Sequence, residues 1–257
     1  MMTQSQIAEL SHYYHIDEFT IRREHIQILF LNSLYQQSEA GQIYFKGGTA
    51  LRLLYQFTRF SEDLDFTTSY SHEKIKKILS DVEASLQYDL PGLQIILLYA
   101  GTKGVRYRIK YEAPDFKYPF VIRLDLSGGK IYEPPETTVL STRFPVGQLP
   151  IITHLAKKEM FAEKICALYE RSKGRDFFDA WYLLKNGEQP DWILIKKKLH
   201  EVKNNFKQSV LLKKIVSFPD RQLQQDLAQF LPRTQKKTIP LIKKELMQLL
   251  TCLSKQD

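Results

Sequence analysis

Asp63 and Asp65, in the stretch Ser61-Glu62-Asp63-Leu64-Asp65-Phe66, alternate with apolar residues. Residues two apart on a strand share a face. Both carboxylates therefore project together, while Leu64 and Phe66 turn toward a core. Two adjacent carboxylates repel one another and call for a cation. Mg2+ suits them, being hard, oxygen-liganded and commonly held by one or two carboxylates plus substrate phosphates. Asp125, in Phe120-Val121-Ile122-Arg123-Leu124-Asp125-Leu126, is a third carboxylate on a second expected strand. If the two strands are neighbours, Asp63, Asp65 and Asp125 can hold two Mg2+ ions. Such a pair clamps the attacking and leaving oxygens of a phosphoryl transfer. An Asp-x-Asp pair also occurs on plain strand edges, and a one-residue slip of register would turn Asp125 away.

Gly47 and Gly48 precede this pair, between an expected strand (Ile43–Phe45) and an expected helix (Thr49–Phe57). Glycines at such a junction let backbone N–H groups approach a phosphate, and a helix N-terminus favours the anion. A tight turn needing positive φ would also use glycine. Ser61, two residues before Asp63, shares its face and can offer a hydroxyl to a phosphate oxygen. Arg59 can reach phosphate if the strand begins early, or stand exposed in a turn.

These residues need elements to hold them. Residues 3–13, 20–38 and 72–86 carry apolar residues at helical spacing, and 94–99, 105–111 and 120–126 read as strands. Val105, Tyr107, Ile109 and Tyr111 alternate with Arg106, Arg108 and Lys110, the pattern of a half-solvated strand. Residues 127–150 are rich in Gly and Pro and read as loop. Beyond about 155 only helical patterns appear. The fold class is therefore α+β. A mixed-sheet domain flanked by helices (1–150) precedes an all-helical domain (151–257).

The chain has 257 residues, 43% hydrophobic and 26% charged, a globular composition. No apolar run is long enough for a transmembrane helix, and the N-terminus lacks a secretory pattern. Cys166 and Cys252 are far apart, and no His or Cys pairing has zinc-site spacing. A reduced, cytoplasmic setting with no membrane partner is expected. Residues 191–257 hold 14 Lys and Arg against 6 Asp and Glu, which accounts for the whole net charge of +8. This is either a solvated helical face or a polyanion-binding surface.

The order Phe45-Gly47-Gly48, helix, Asp63-Leu64-Asp65-Phe66 resembles the nucleotidyltransferase signature of the polymerase-β-like superfamily. Residues 46–66 look more closely like the first motif of the AbiEii/AbiGii toxin family, in which the run Arg59–Phe66 is typical. Lys164, Ala167, Leu168, Arg171, Arg175, Asp176 and Asp179 match the family's later motifs. The resemblance implies a nucleotidyltransferase-like fold and a Mg2+-dependent transfer of a nucleoside monophosphate from an NTP. It implies metal-binding roles for Asp63, Asp65 and Asp125, and a catalytic, phosphate-binding role for Lys164. Nucleotide binding would also involve Gly47, Gly48, Thr49, Ser61, Arg175, Asp176 and Asp179. Relatives modify the 3′ end of tRNA, which makes tRNA the leading acceptor and a cognate antitoxin the partner. Phage defence is the implied setting.

Other readings stay open at this point. Lys164 sits in an apolar stripe and could snorkel to solvent. Arg175, Asp176 and Asp179 could form a structural ion-pair network, with Asp176 in the first turn of its helix. The acceptor could be a protein hydroxyl. The chain could bind NTP or RNA without transfer, or modify a small molecule.

Overall fold

The computed structural model describes residues 2–113 and 118–253. The last residues of the expected helical domain, 254–257, lie outside them. The chain divides into two compact units, Met1–Leu155 and Ala156–Asp257.

The first unit opens with helices α1 (Gln4–Tyr14) and α2 (Glu18–Gln36), capped by the side chains of Thr3 and Asp17. Strand β1 (Ile43–Lys46) runs straight into helix α3 (Gly47–Tyr55). Strand β2 (Leu64–Thr68) and helix α4 (His72–Leu86) follow, then β3 (Gln94–Gly101), β4 (Gly104–Tyr111) and β5 (Phe120–Ser127). Two short strands, β6 (Glu136–Val139) and β7 (Ile151–His154), complete the unit. They fall where the sequence reads as loop and at the edge of the expected helical domain. β6 is exposed along its whole length, so it carries no apolar alternation. β7 is too short to show one. Both nonetheless belong to the sheet, so the first unit runs on through Leu155.

The seven strands lie in the order β3-β4-β5-β2-β1-β7-β6. β2 and β5 are parallel, as are β1 and β7, and the remaining pairs are antiparallel. One face of this mixed sheet is apolar: Leu64, Phe66, Ile109, Phe120, Ile122 and Leu124 are all buried. α2 covers it, with Phe30 against Phe66 and Phe19 stacked on Phe120 at 4.5 Å. The other face carries the alternate residues, among them Asp65, Arg106, Arg108, Arg123 and Asp125.

The second unit is helical: α5 (Lys157–Glu170), α6 (Gly174–Lys185), α7 (Trp192–Glu201), α8 (Gln208–Ser217), α9 (Asp220–Ala228) and α10 (Ile239–Leu253). Its core gathers Ile165, Leu168, Phe177, Phe178, Ile195 and Ile215, all fully or almost fully buried.

Candidate active site

The centre of the polar sheet face is built by strand register. Asp65 of β2 stands directly opposite Asp125 of β5, on parallel neighbouring strands. On the other side of β2, Asp65 is opposite Lys46 of β1. Asp63 lies immediately before β2.

The β1–α3 turn fits against these carboxylates. Gly47 has φ +81°, which an L side chain rarely adopts, and a Cβ there would collide with the Asp65 carboxylate. A Cβ on Gly48 would strike the Arg59 guanidinium and come within 3.2 Å of Ser61 Oγ. Gly47 is therefore required by φ and by close approach, while a side chain at Gly48 would have to displace the end of Arg59. Together they bring the N-terminus of α3, Asp65, Ser61 and Arg59 to one place. Thr49 is buried, and its hydroxyl donates to the backbone oxygen of Asp63. That bond gives the Thr49 side chain a positioning job.

Arg59 is the residue that sequence reasoning placed least well. Its side chain is buried rather than exposed in a turn, and its Nη1 donates to Phe60 O at 2.9 Å. A buried guanidinium beside a helix N-terminus and a serine hydroxyl is a set of donors suited in kind to phosphate oxygens. In the same region of the fold, Arg52 forks onto Glu24 at 3.0 and 3.1 Å and donates to Phe57 O at 2.7 Å.

Two further arginines attend the carboxylates. Arg106 of β4 is opposite Asp125, and its Nε donates to Asp125 Oδ1 at 2.5 Å. Arg123 reaches Asp63 at 3.9 Å. The Asp125 hydrogen bond, then the charges of Asp125, Asp63 and Asp65, raise the Arg106 pKa above its ordinary value. The three carboxylates thus act on one guanidinium, which places their charges in a common field. Nothing in the alternating patterns of 105–111 and 120–126 separates these arginines from an ordinary solvated face. The signal is their register opposite Asp125 and beside Asp63.

Hard oxygen donors on adjacent strands suit Mg2+ in kind, and their mutual repulsion asks for positive charge. Among the described residues no three His, Cys, Asp or Glu side chains converge as a metal cluster. Arginines engage two of the carboxylates instead, Asp125 by Arg106 and Asp63 by Arg123. Asp63, Asp65 and Asp125 are the residues that would hold the metal.

The second-unit residues form their own network. Lys164 Nζ lies 2.8 Å from Asp179 Oδ2 and 3.7 Å from Asp176 Oδ1. Arg171 forks onto Asp176 at 3.1 and 3.2 Å. Asp179 is fully buried and Asp176 almost so, which is tolerable for carboxylates only with such partners. The Arg175 guanidinium sits 5.3 Å from the Phe230 ring centre. Lys164 is thus held by two carboxylates rather than snorkelling out of an apolar stripe.

The fold of this chain has counterparts among solved structures. The fold is similar to MenT4, a nucleotidyltransferase toxin from Mycobacterium tuberculosis H37Rv, with TM-score 0.69 and 17% identity, over 98% of this chain and 90% of that one. It is also similar to JHP933 from Helicobacter pylori, with TM-score 0.56 and 21% identity, over 94% of this chain and 96% of that one. No curated protein matches. The family described as "Nucleotidyl transferase AbiEii toxin, Type IV TA system" matches residues 29–246. With most of its length matched, this chain belongs to the AbiEii family of nucleotidyltransferase toxins of type IV toxin–antitoxin systems.

Proposed function

We propose that the protein transfers a nucleoside monophosphate from an NTP to a hydroxyl at the 3′ end of tRNA. The observation that carries this reading is the direct register of Asp65 with Asp125, against which the Gly47–Gly48 turn is packed. Family membership supplies the NTP and a cognate antitoxin. The acceptor and the metal dependence are our own reading.

The triphosphate lies over the N-terminus of α3, where backbone N–H groups, Ser61 Oγ and the Arg59 guanidinium receive phosphate oxygens. Divalent ions held by Asp63, Asp65 and Asp125 would, when bound, neutralise phosphate charge and polarise the reacting oxygens. Asp125 accepts the proton of the acceptor hydroxyl as its oxygen attacks the α-phosphorus. The bond from that phosphorus to the bridging oxygen breaks, and pyrophosphate leaves. Positioning and charge neutralisation carry most of the rate. In the second unit Lys164 is the candidate phosphate ligand, with Asp176 and Asp179 fixing its ammonium and Arg175 alongside in sequence.

The test is incubation of the pure protein with Mg2+, each α-phosphate-labelled NTP in turn and total tRNA, beside Asp65→Ala. Label reaching RNA with the wild type alone supports the reading. Label on protein keeps the chemistry and replaces the acceptor. No label from any NTP refutes transfer.

A further inference from the structure

Arg108 of β4 and Arg123 of β5 stand directly opposite one another on the exposed polar face. Like charges in direct register destabilise a sheet. No acid is in register with Arg108: its two sheet neighbours are Arg123 and Ile96. Among the described residues, Arg123 reaches a carboxylate at the limit of an ion pair, 3.9 Å from Asp63. Next along β4 on this face comes Arg106, whose side chain is half exposed and bound to Asp125. The sheet therefore maintains a row of guanidiniums running up to the carboxylates, with repulsion inside it.

The location of this row decides its partner. In the strand order, β5 and β4 flank β2 on one side, and β1 with the α3 turn flanks it on the other. The glycine turn and Arg59, which receive the triphosphate in the proposed reaction, lie on the β1 side. The arginine row lies on the opposite side of the carboxylates, where the acceptor must enter. At its rim, Tyr99 of edge strand β3 is opposite Arg106 and 57% exposed, with its ring against Gly101. Guanidiniums interleaved with an exposed aromatic ring are the surface on which a single strand lays its phosphates and stacks its bases.

We infer that the β3–β4–β5 face, through Arg108, Arg123 and Tyr99, is the docking track for the single-stranded end of an RNA acceptor. This rests on the proposed transferase reaction, and assigns the acceptor side of that site.

The test titrates the full-length protein into a short fluorescein-labelled single-stranded RNA of mixed sequence at several salt concentrations. Arg108→Gln and Arg108→Gln/Arg123→Gln are compared with wild type. Relief of the like-charge pair keeps Arg108→Gln at least as heat-stable as wild type, so a folding defect is not expected to confuse the result. The double variant should bind RNA roughly tenfold more weakly, and its salt slope should fall by about 0.7 for each phosphate it no longer neutralises. NTP affinity, titrated separately on Arg108→Gln, should not move. Unchanged RNA affinity and slope overturn the track. So does abolished NTP binding with RNA binding retained, which assigns the arginines to the triphosphate. Displacement of the RNA by poly-glutamate at equal charge also overturns it, in favour of an acidic protein partner. A wild type that transfers label but has no RNA affinity overturns the RNA acceptor together with the track, and leaves the chemistry standing.

Discussion

Gly47→Ala tests the construction of the site at its tightest point. The residue adopts φ +81°, and an L residue held in that region costs about 1–2 kcal/mol. The added Cβ would also fall within 3.0 Å of Asp65 Cβ and closer still to its carboxylate, so the side chain must leave its rotamer, on the order of 1 kcal/mol more. The sum, roughly 2–3 kcal/mol, corresponds to a loss of about 4–12 °C in melting temperature for a chain of this size. Transfer should suffer more than stability, because a displacement of about 1 Å at the reacting centre can cost on the order of a hundredfold in rate. Gly41→Ala is the control: φ is not positive there and nothing lies within 4 Å of the new Cβ, so its effect should stay within about 0.5 kcal/mol. The assays are thermal unfolding and transfer of labelled nucleotide. A Gly47→Ala protein that melts like wild type refutes the backbone strain. One that also transfers at the wild-type rate refutes the packing of this turn against Asp65.

Arg52→Met should destabilise the protein by roughly 3–5 kcal/mol in denaturant unfolding, because the buried Glu24 is deprived of its forked partner. Pairing it with Glu24→Leu should recover most of that stability, and an Arg52→Met protein of wild-type stability would contradict the pairing. His25 is buried against Phe144 and bonded to Pro145 O, and burial pushes its pKa down from 6.5 to about 4. The folded state binds this proton less readily than the unfolded chain. Its contribution is therefore intact above pH 6.5 and disappears as pH falls toward 4, by about 3 kcal/mol. Acid unfolding of His25→Gln should lack that component; an identical pH profile would be evidence against it. Burial pushes the Cys166 thiol up to about 12, whereas Cys252 is exposed. A thiol reagent should modify Cys252 in the native protein and reach Cys166 only after unfolding.

Much of the first unit is legible in the sequence because its patterns are strong. Helix α4 occupies the expected residues 72–86, and β3, β4 and β5 each lie within two residues of their expected bounds. Alternation reports one buried face and one wet face, and β4 and β5 have both. β6 has neither, so pattern alone assigns it to loop. Pairing is a different matter. That Asp65 faces Asp125 depends on β2 and β5 being parallel neighbours, and no local signal states this. Arg59 is hidden for a related reason: its charge suggests solvent, and only the tertiary fold buries it beside the glycine turn. The basic C-terminal quarter illustrates the reverse. Lys198 pairs with Glu159 and Glu163, Lys214 donates to the Tyr169 carbonyl, and Lys243 pairs with Asp220 at 2.8 Å. Part of that surplus charge therefore serves packing within the second unit, and clustered lysines in sequence overstate the surface free to meet a polyanion.

The parallel pairing of β2 with β5 also bears on how the protein comes into being. Asp65 and Asp125 are separated in the chain by α4, β3 and β4, and β1 finds its parallel neighbour only at β7. Pairings this distant in sequence form late, because a long loop must close before any of them rewards it. As the chain leaves the ribosome, the glycine turn and the first two aspartates emerge well before the strand that completes them. A fragment ending before Phe120 would carry the most recognisable motif of the sequence and no complete set of carboxylates. In the proposed reaction, this topology defers competence at least until β5 has been synthesised.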